Sequence, residues 1–368
     1  MNETRRFVAL DAFRGLTIAA MILVNTPGSW RYVYSPLRHA EWHGCTPTDL
    51  VFPFFLFIVG VAMRFSFKKF EYKLTKEAFL KLLKRTLLIF AVGLFLNAFP
   101  FHRSLADLRI LGVLQRIALA YGFAAVLSLV LKPKQIIIAI VVLLFGYWGL
   151  LWGLGGIDPY GLETNIVRTI DLKILGENHI WHGHGIAFDP EGLMSTLPAI
   201  VTALLGYLVG FQIQSRKNGS YLWQLLAYGI IGILLGLLWH LVFPINKALW
   251  TSSFVLYTAG FAIVLLTCFI WLIDVKDVKT WAHPLIVFGM NPLFVYSLSI
   301  IWVKMIIYVV KIPLQDDTSI TLYAWLYQHI FAPLFGNMNG SMLFALAHVI
   351  VFWLVSLILY KRKIFIKI

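Results

Sequence analysis

The chain has 368 residues, 60% of them hydrophobic and only 13% charged, with a mean hydropathy of +0.81. Soluble domains run near 45–50% apolar and about 25% charged, so a soluble globular enzyme is excluded, as are a disordered chain, a coiled coil and a collagen. The net charge of +14 reports topology first in such a chain, and no nucleic-acid partner is expected.

Long unbroken apolar runs, rather than the short dyad alternation of barrel strands, predict an all-α, polytopic integral-membrane helical bundle. About ten transmembrane helices are expected, at 7–27, 47–67, 83–100, 110–131, 135–154, 193–213, 222–243, 252–273, 284–310 and 341–360. The 284–310 segment is long for one span and open to division. The first span carries Asp11 and Arg14, lacks a small-residue cleavage site, and reads as a retained helix rather than a signal peptide.

A cytoplasmic N-terminus sorts the basic residues. One side receives Arg5, Arg6, the stretch Lys68 to Arg85, Lys132, Lys134, Arg216, Lys217, Lys276, Lys279 and the tail Lys361 to Lys363. The other keeps Arg31, Arg38, Arg103, Arg168 and Lys247. That asymmetry places both termini in the cytoplasm and requires an even number of spans. The loops 28–46, 101–109, 155–192, 244–251 and 311–340 then lie outside, and residues 1–368 read as one integral-membrane domain. With no cleavable leader or organellar address, a bacterial inner membrane is the expected location. Cys45 and Cys268 are too few for a disulfide framework and fall near opposite faces.

A charge inside a span costs several kcal/mol on insertion scales and needs a reason. Asp11 and Arg14, three residues apart on one helix face, read either as a mutual ion pair or as an anion site for a phosphorylated ligand. Gln115 and Arg116 lie about a turn and a half into the fourth span and point to a buried polar pocket. Thr48 is a candidate cap for the second span, with Asp49 in the first turn. Asn246, Lys247 and Trp250 gather at a span end, and Asn291 precedes Pro292, where a helix opens and frees backbone carbonyls.

The densest chemistry is in loop 28–46, with His39, Glu41, Trp42 and His43 beside Trp30, Tyr32 and Tyr34. The aromatic residues fit an interfacial belt, but an imidazole among them is able to exchange a proton near neutral pH. His179, His182 and His184, followed by Asp189 and Glu191, raise zinc as a question, yet the spacing matches no recognised zinc pattern, and no metal is expected.

Six ordered blocks carry a resemblance: RFVALDAFRGLTIAAMILVNTPG, PLRHAEWHGCTPTDLVFPFFLFIVG, ILGVLQRIAL, DPEGLMSTLPAIVT, INKALWTSSFVLYTAG and FGMNPLFVY. They resemble the transmembrane acyltransferases, in particular the bacterial relatives of heparan-α-glucosaminide N-acetyltransferase. The resemblance runs from about residue 5 to the last span. It implies transfer of an acetyl group from cytosolic acetyl-CoA to the amine of a glucosamine-type sugar across the membrane. The family's His-Ala-x-Trp-x-Gly block falls on His39 to Gly44, which selects His39 over His43 as the catalytic histidine, acting as general base or acetyl-carrying nucleophile. It also implicates Asn25.

On this reading Asp11, Arg14, Gln115, Arg116 and Asn291 serve acetyl-CoA, the acyl donor. Trp42, Asp49, Asp189, Glu191, Lys247 and Trp250 face the acceptor. Expected partners are membrane lipid and an amino-sugar or glycan acceptor, with a homodimer left open. The rival readings are an acyltransferase on another cell-envelope glycan, a secondary transporter and a non-catalytic assembly protein.

Overall fold

The computed structural model describes residues 7–102, 104–215, 221–314 and 318–366. Arg5, Arg6, Arg103, Arg216 and Lys217, used in the charge argument, lie outside the described residues. The long elements are α1 (Val8–Asn25), α2 (Pro47–Ser66), α3 (Lys76–Ala98), α4 (Val113–Val130) and α5 (Pro133–Leu154). After the short helix α6 (Ile166–Leu175) come α7 (Thr196–Ser215), α8 (Tyr221–His240) and α9 (Ser252–Phe269). The chain ends with α10 (His283–Gly289), α11 (Pro292–Lys304), short helices α12 (Leu322–Leu326) and α13 (Ala332–Phe335), and α14 (Asn337–Lys361). A two-stranded antiparallel hairpin, β1 (Lys311–Pro313) with β2 (Ser319–Thr321), lies between α11 and α12.

Among the described residues nine helices are long and apolar enough to cross a membrane. α3 makes a tenth long segment. Lysines and arginines crowd its first half, and it lies along α4. The expected span 284–310 is not one helix. α10 and α11 are separated at Met290 and Asn291, because Pro292 has no backbone N–H to continue a ladder and favours the first position of a new helix. Hydroxyl and amide caps start other helices: Thr75, Asn165, Thr251 and Thr321 each accept a backbone N–H from the first turn.

The closest pairings are α8 with α9, α2 with α7, α1 with α10, and α3 with α4. Glycine allows the first three of these, Gly236 and Gly260 bringing the α8 and α9 backbones together. A Cβ on Gly60 would fall 1.9 Å from the Ala203 carbonyl oxygen, and one on Gly206 would fall 2.0 Å from that of Phe57. Likewise Gly15 and Gly289 meet the opposing backbones of α10 and α1. Such contact supplies dispersion energy where no hydrophobic effect distinguishes lipid from protein. Helix α7 is consequently central, 67% buried, whereas α8 is peripheral at 17%.

Two ends of the bundle can be told apart. Loops 26–46, 99–112, 155–195, 241–251 and 310–336 are linked to one another by hydrogen bonds, Gly44 to Ile245, Ile110 to His179 and Tyr323 to Pro27 among them. This is the loop face. The opposite face holds the start of α1, the α2–α3 connection and the end of α14.

Candidate active site

The second helix begins in a way that builds the site. Thr46, not Thr48, is its N-cap, in a reciprocal capping box with Asp49. Asp49 Oδ2 accepts hydrogen bonds from the Ala40 and Thr46 backbone N–H groups, each 3.0 Å, and from Thr46 Oγ1 at 3.1 Å. Its Oδ1 lies 2.6 Å from His39 Nδ1 and 3.3 Å from Lys247 Nζ. The carboxylate is 1% exposed and the His39 side chain 41%, so a buried acid holds an accessible imidazole.

Lys247 Nζ is also 2.9 Å from His39 Nδ1. A single proton must serve that nitrogen. The carboxylate is the stronger acceptor, so the network assigns Nδ1–H to Asp49 and leaves Nε2 as the basic nitrogen. Lys247 then pairs with Asp49. This orders the same functional parts as an acid–base dyad: an orienting carboxylate, a tautomer with a free Nε2, and a cation beside it.

The rest of loop 28–46 is tied into neighbouring loops. Trp42 donates its indole N–H to the Tyr160 carbonyl at 2.8 Å and packs edge-on against Phe188 and His184. His43 Nδ1 lies 3.3 Å from the Asn246 amide. Burial keeps His43 below the usual histidine range, partly offset by Asp158 and reinforced by His240. Burial and the nearby Asp49 carboxylate push the Cys45 thiol up to about 12, despite Lys247, so it is no thiolate nucleophile at neutral pH.

Behind this layer lies a second polar cluster. Arg109 makes a bidentate contact with Asp189, at 2.9 and 2.6 Å, and a 2.6 Å contact with Glu191. Burial alone would lower the Arg109 pKa, but these two carboxylates outweigh it and raise it. Arg116, 0% exposed, donates from one terminal nitrogen to the carbonyls of Pro190 and Gly192 and to Ser195 Oγ. Its guanidinium stands over the Trp250 ring.

Several expected roles change here. Asp189 and Glu191 are engaged by Arg109, and Asp189 is 1% exposed, so they brace the 189–195 turn rather than grip a sugar. Trp250 is 1% exposed, pressed edge-on to Phe52 and Phe254, with its N–H on Thr202: it is core. Asp49 has its oxygens filled and orients His39 instead of meeting the acceptor. Gln115 and Arg116 lie at the loop-face end of α4, where Gln115 donates to the Ile110 carbonyl; both hold loop backbone, at the end of the bundle opposite the basic face.

Asp11 and Arg14 pair at 3.1 Å near the opposite face, where Arg14 also donates to the Gly289 carbonyl. Asn291 marks the helix break as expected, but its amide is bonded to the tail: it donates to the Ile364 carbonyl and accepts from the Ile366 N–H. Asn25 is at the loop-face end of α1, with its amide on the Met21 carbonyl of its own helix rather than on His39. Of the expected residues, the fold therefore gathers His39, Asp49, Trp42 and Lys247. The three loop histidines diverge: His179 bonds the Leu108 carbonyl, His182 faces Glu177 and His184 packs between Trp42 and Trp181. Arg109 and Asp171 were not singled out from sequence, although the buried DPEG acids required a counter-cation.

Asp171 accepts backbone N–H bonds from Leu193 and Met194 through Oδ1, while its buried Oδ2 has no partner among the described residues. Burial, with some help from Asp189, raises its pKa to about 7 against the lowering effects of those bonds and Arg116. A raised carboxyl pKa means that the folded protein holds the proton more tightly. The stabilisation is complete below the unfolded value and is lost as pH climbs through about 7. Melting temperature in detergent should therefore fall by several degrees between pH 5 and 8 more steeply in wild type than in Asp171→Asn. Parallel curves would contradict this assignment.

A family profile described as heparan-alpha-glucosaminide N-acetyltransferase, catalytic, matches residues 6–165, the region that carries His39 and Asp49. Human heparan-alpha-glucosaminide N-acetyltransferase is 29% identical over 349 residues, which is 79% of this chain and 52% of that protein. The chain is similar to the heparan-alpha-glucosaminide N-acetyltransferases. The mouse enzyme is also 29% identical, over 363 residues, 80% of this chain and 54% of the mouse protein. The chain thus spans about half the length of the curated relatives it matches. This similarity and the apolar helices together describe a multi-pass integral membrane protein that is similar to acetyltransferases.

Proposed function

We propose that this protein is a transmembrane acetyltransferase that moves an acetyl group from cytosolic acetyl-CoA to the amine of a glucosamine-type sugar at the loop face. The observation that carries this reading is the buried Asp49 carboxylate 2.6 Å from Nδ1 of an accessible His39, with Lys247 beside both. Similarity to the human and mouse heparan-alpha-glucosaminide N-acetyltransferases supports the transferase class and the amino-sugar acceptor.

In this mechanism Asp49 fixes the His39 tautomer. His39 Nε2 takes the proton that the amine sheds as its nitrogen bonds to the thioester carbonyl carbon. The C–S bond then breaks, and His39 returns the proton to the departing thiolate. Lys247, whose ammonium sits beside His39, is the group assigned to the charge developing on the carbonyl oxygen. Asn25, bonded within its own helix, is not needed for that step. The lysines and arginines at the ends of α2, α3, α5 and α14 make the opposite face basic, which supports a cytoplasmic placement there and a site for the donor's phosphates.

Thiol release by the detergent-solubilised protein tests the proposal. It should require acetyl-CoA and glucosamine together. Release that is indifferent to glucosamine would reject the amino-sugar acceptor, and none with any amine would reject the acetyltransferase reading.

A further inference from the structure

A second opening lies on the loop face. A cleft of about 390 Å³ runs between the 107–109 segment and residues 178–183, bounded by Asp107, Arg109, Asn178, Trp181 and His182. That volume is in the range of small-ligand sites. Its walls are pinned together: the Ile110 N–H donates to the His179 carbonyl, and His179 Nδ1 donates to the Leu108 carbonyl at 2.7 Å.

Trp181 forms one wall and is 36% exposed, so a ligand can reach its ring. A Cβ on residue 183 would fall 1.8 Å from that indole, so glycine there is what lets the ring lie against the following chain. From Trp181 a row of rings leads back to the dyad. Trp181 and His184 are 5.1 Å apart between centroids, and His184 and Trp42 are 5.8 Å apart. Trp42 is three residues from His39. His184 is held below the usual histidine range by burial, against Glu191, so this row is uncharged at neutral pH.

A pyranose has an apolar C–H face and a rim of hydroxyls. A ring such as Trp181 covers the first, while a carboxylate and an amide such as Asp107 and Asn178 bond the second. Charge narrows the class. Arg109 is already committed to Asp189 and Glu191, whereas Asp107 is in no ion pair among the described residues. The cleft therefore suits hydroxyl-rich or ammonium-bearing sugars and repels sulfate or carboxylate.

We propose that the Trp181 cleft is a distal subsite for a neutral or amino-sugar glycan whose terminal amine lies at His39, so that the acceptor is an oligosaccharide. This rests on the acetyltransferase reading above. The experiment compares glucosamine with the β-1,4-linked glucosamine trimer as acceptors. In wild type, kcat/KM for the trimer should exceed that for glucosamine by about tenfold. Trp181→Ala should abolish that advantage and leave glucosamine turnover within about twofold, while Trp181→Phe should retain most of it. A trimer no better than glucosamine, or an equal loss on both acceptors, would overturn the subsite. Should wild type acetylate neither, the acetyltransferase reading fails by itself. Calorimetric titration with the trimer then still decides the subsite: binding that Trp181→Ala removes supports it, and binding absent or unchanged overturns it.

Discussion

Replacing His39 with alanine is expected to lower acetyl transfer by about two to four orders of magnitude, the range a positioned acid–base residue contributes. The side chain is accessible and only its Nδ1 is committed, to Asp49 and its neighbour Lys247, so its loss removes the proton acceptor without opening the core. Donor binding should persist, because the basic face lies at the opposite end of the helices. The measurement is acetyl-CoA turnover with glucosamine, alongside equilibrium binding of CoA. Transfer retained within about tenfold of wild type would remove His39 from the mechanism. Incubation with radiolabelled acetyl-CoA and no acceptor separates the two chemical roles. Label retained by wild type and lost in His39→Ala would mark a nucleophile, and no retained label a base.

The second large effect belongs to Asp49→Asn. An amide at this position has one oxygen where the carboxylate has two. If its NH2 faces His39, Nδ1 must become an acceptor and the proton moves to Nε2, the nitrogen needed as base. If its NH2 faces the other way, it meets the N–H groups of Ala40 and Thr46. Either arrangement costs function, and a loss of about 10²- to 10⁴-fold in kcat is expected, with little change in acceptor KM. Residues acting as one unit are not additive. Adding Asp49→Asn to His39→Ala should therefore cost little more than His39→Ala alone. Multiplying losses would mean that Asp49 acts independently of the imidazole.

Much of the architecture was legible in the chain. The apolar runs located eight of the ten expected spans to within four residues, since each span must satisfy its own backbone in hydrocarbon. By contrast, α3 begins seven residues before the expected 83, and 284–310 is two helices. Pro292 signalled the broken helix, and the polar, aromatic stretch 28–46 marked the loop that carries the His39–Asp49 pair. A histidine there was recognisable from proton chemistry, though choosing His39 over His43 needed the family block.

What lay beyond the linear chain was the partnering of charges. Asp49, Asp189, Glu191 and Arg116 each looked ready for a ligand, because a charge in or beside a span demands an explanation. The fold supplies one within the protein: Asp49 takes His39 and Lys247, Arg109 takes both DPEG acids, and Arg116 holds the carbonyls of the following turn. These partners are separated by up to about two hundred residues, as Lys247 is from Asp49, and no local periodicity encodes such pairs. Helix positions follow from local hydropathy, whereas the duty of a buried charge depends on which distant loop the packing of α2, α4 and α7 brings against it.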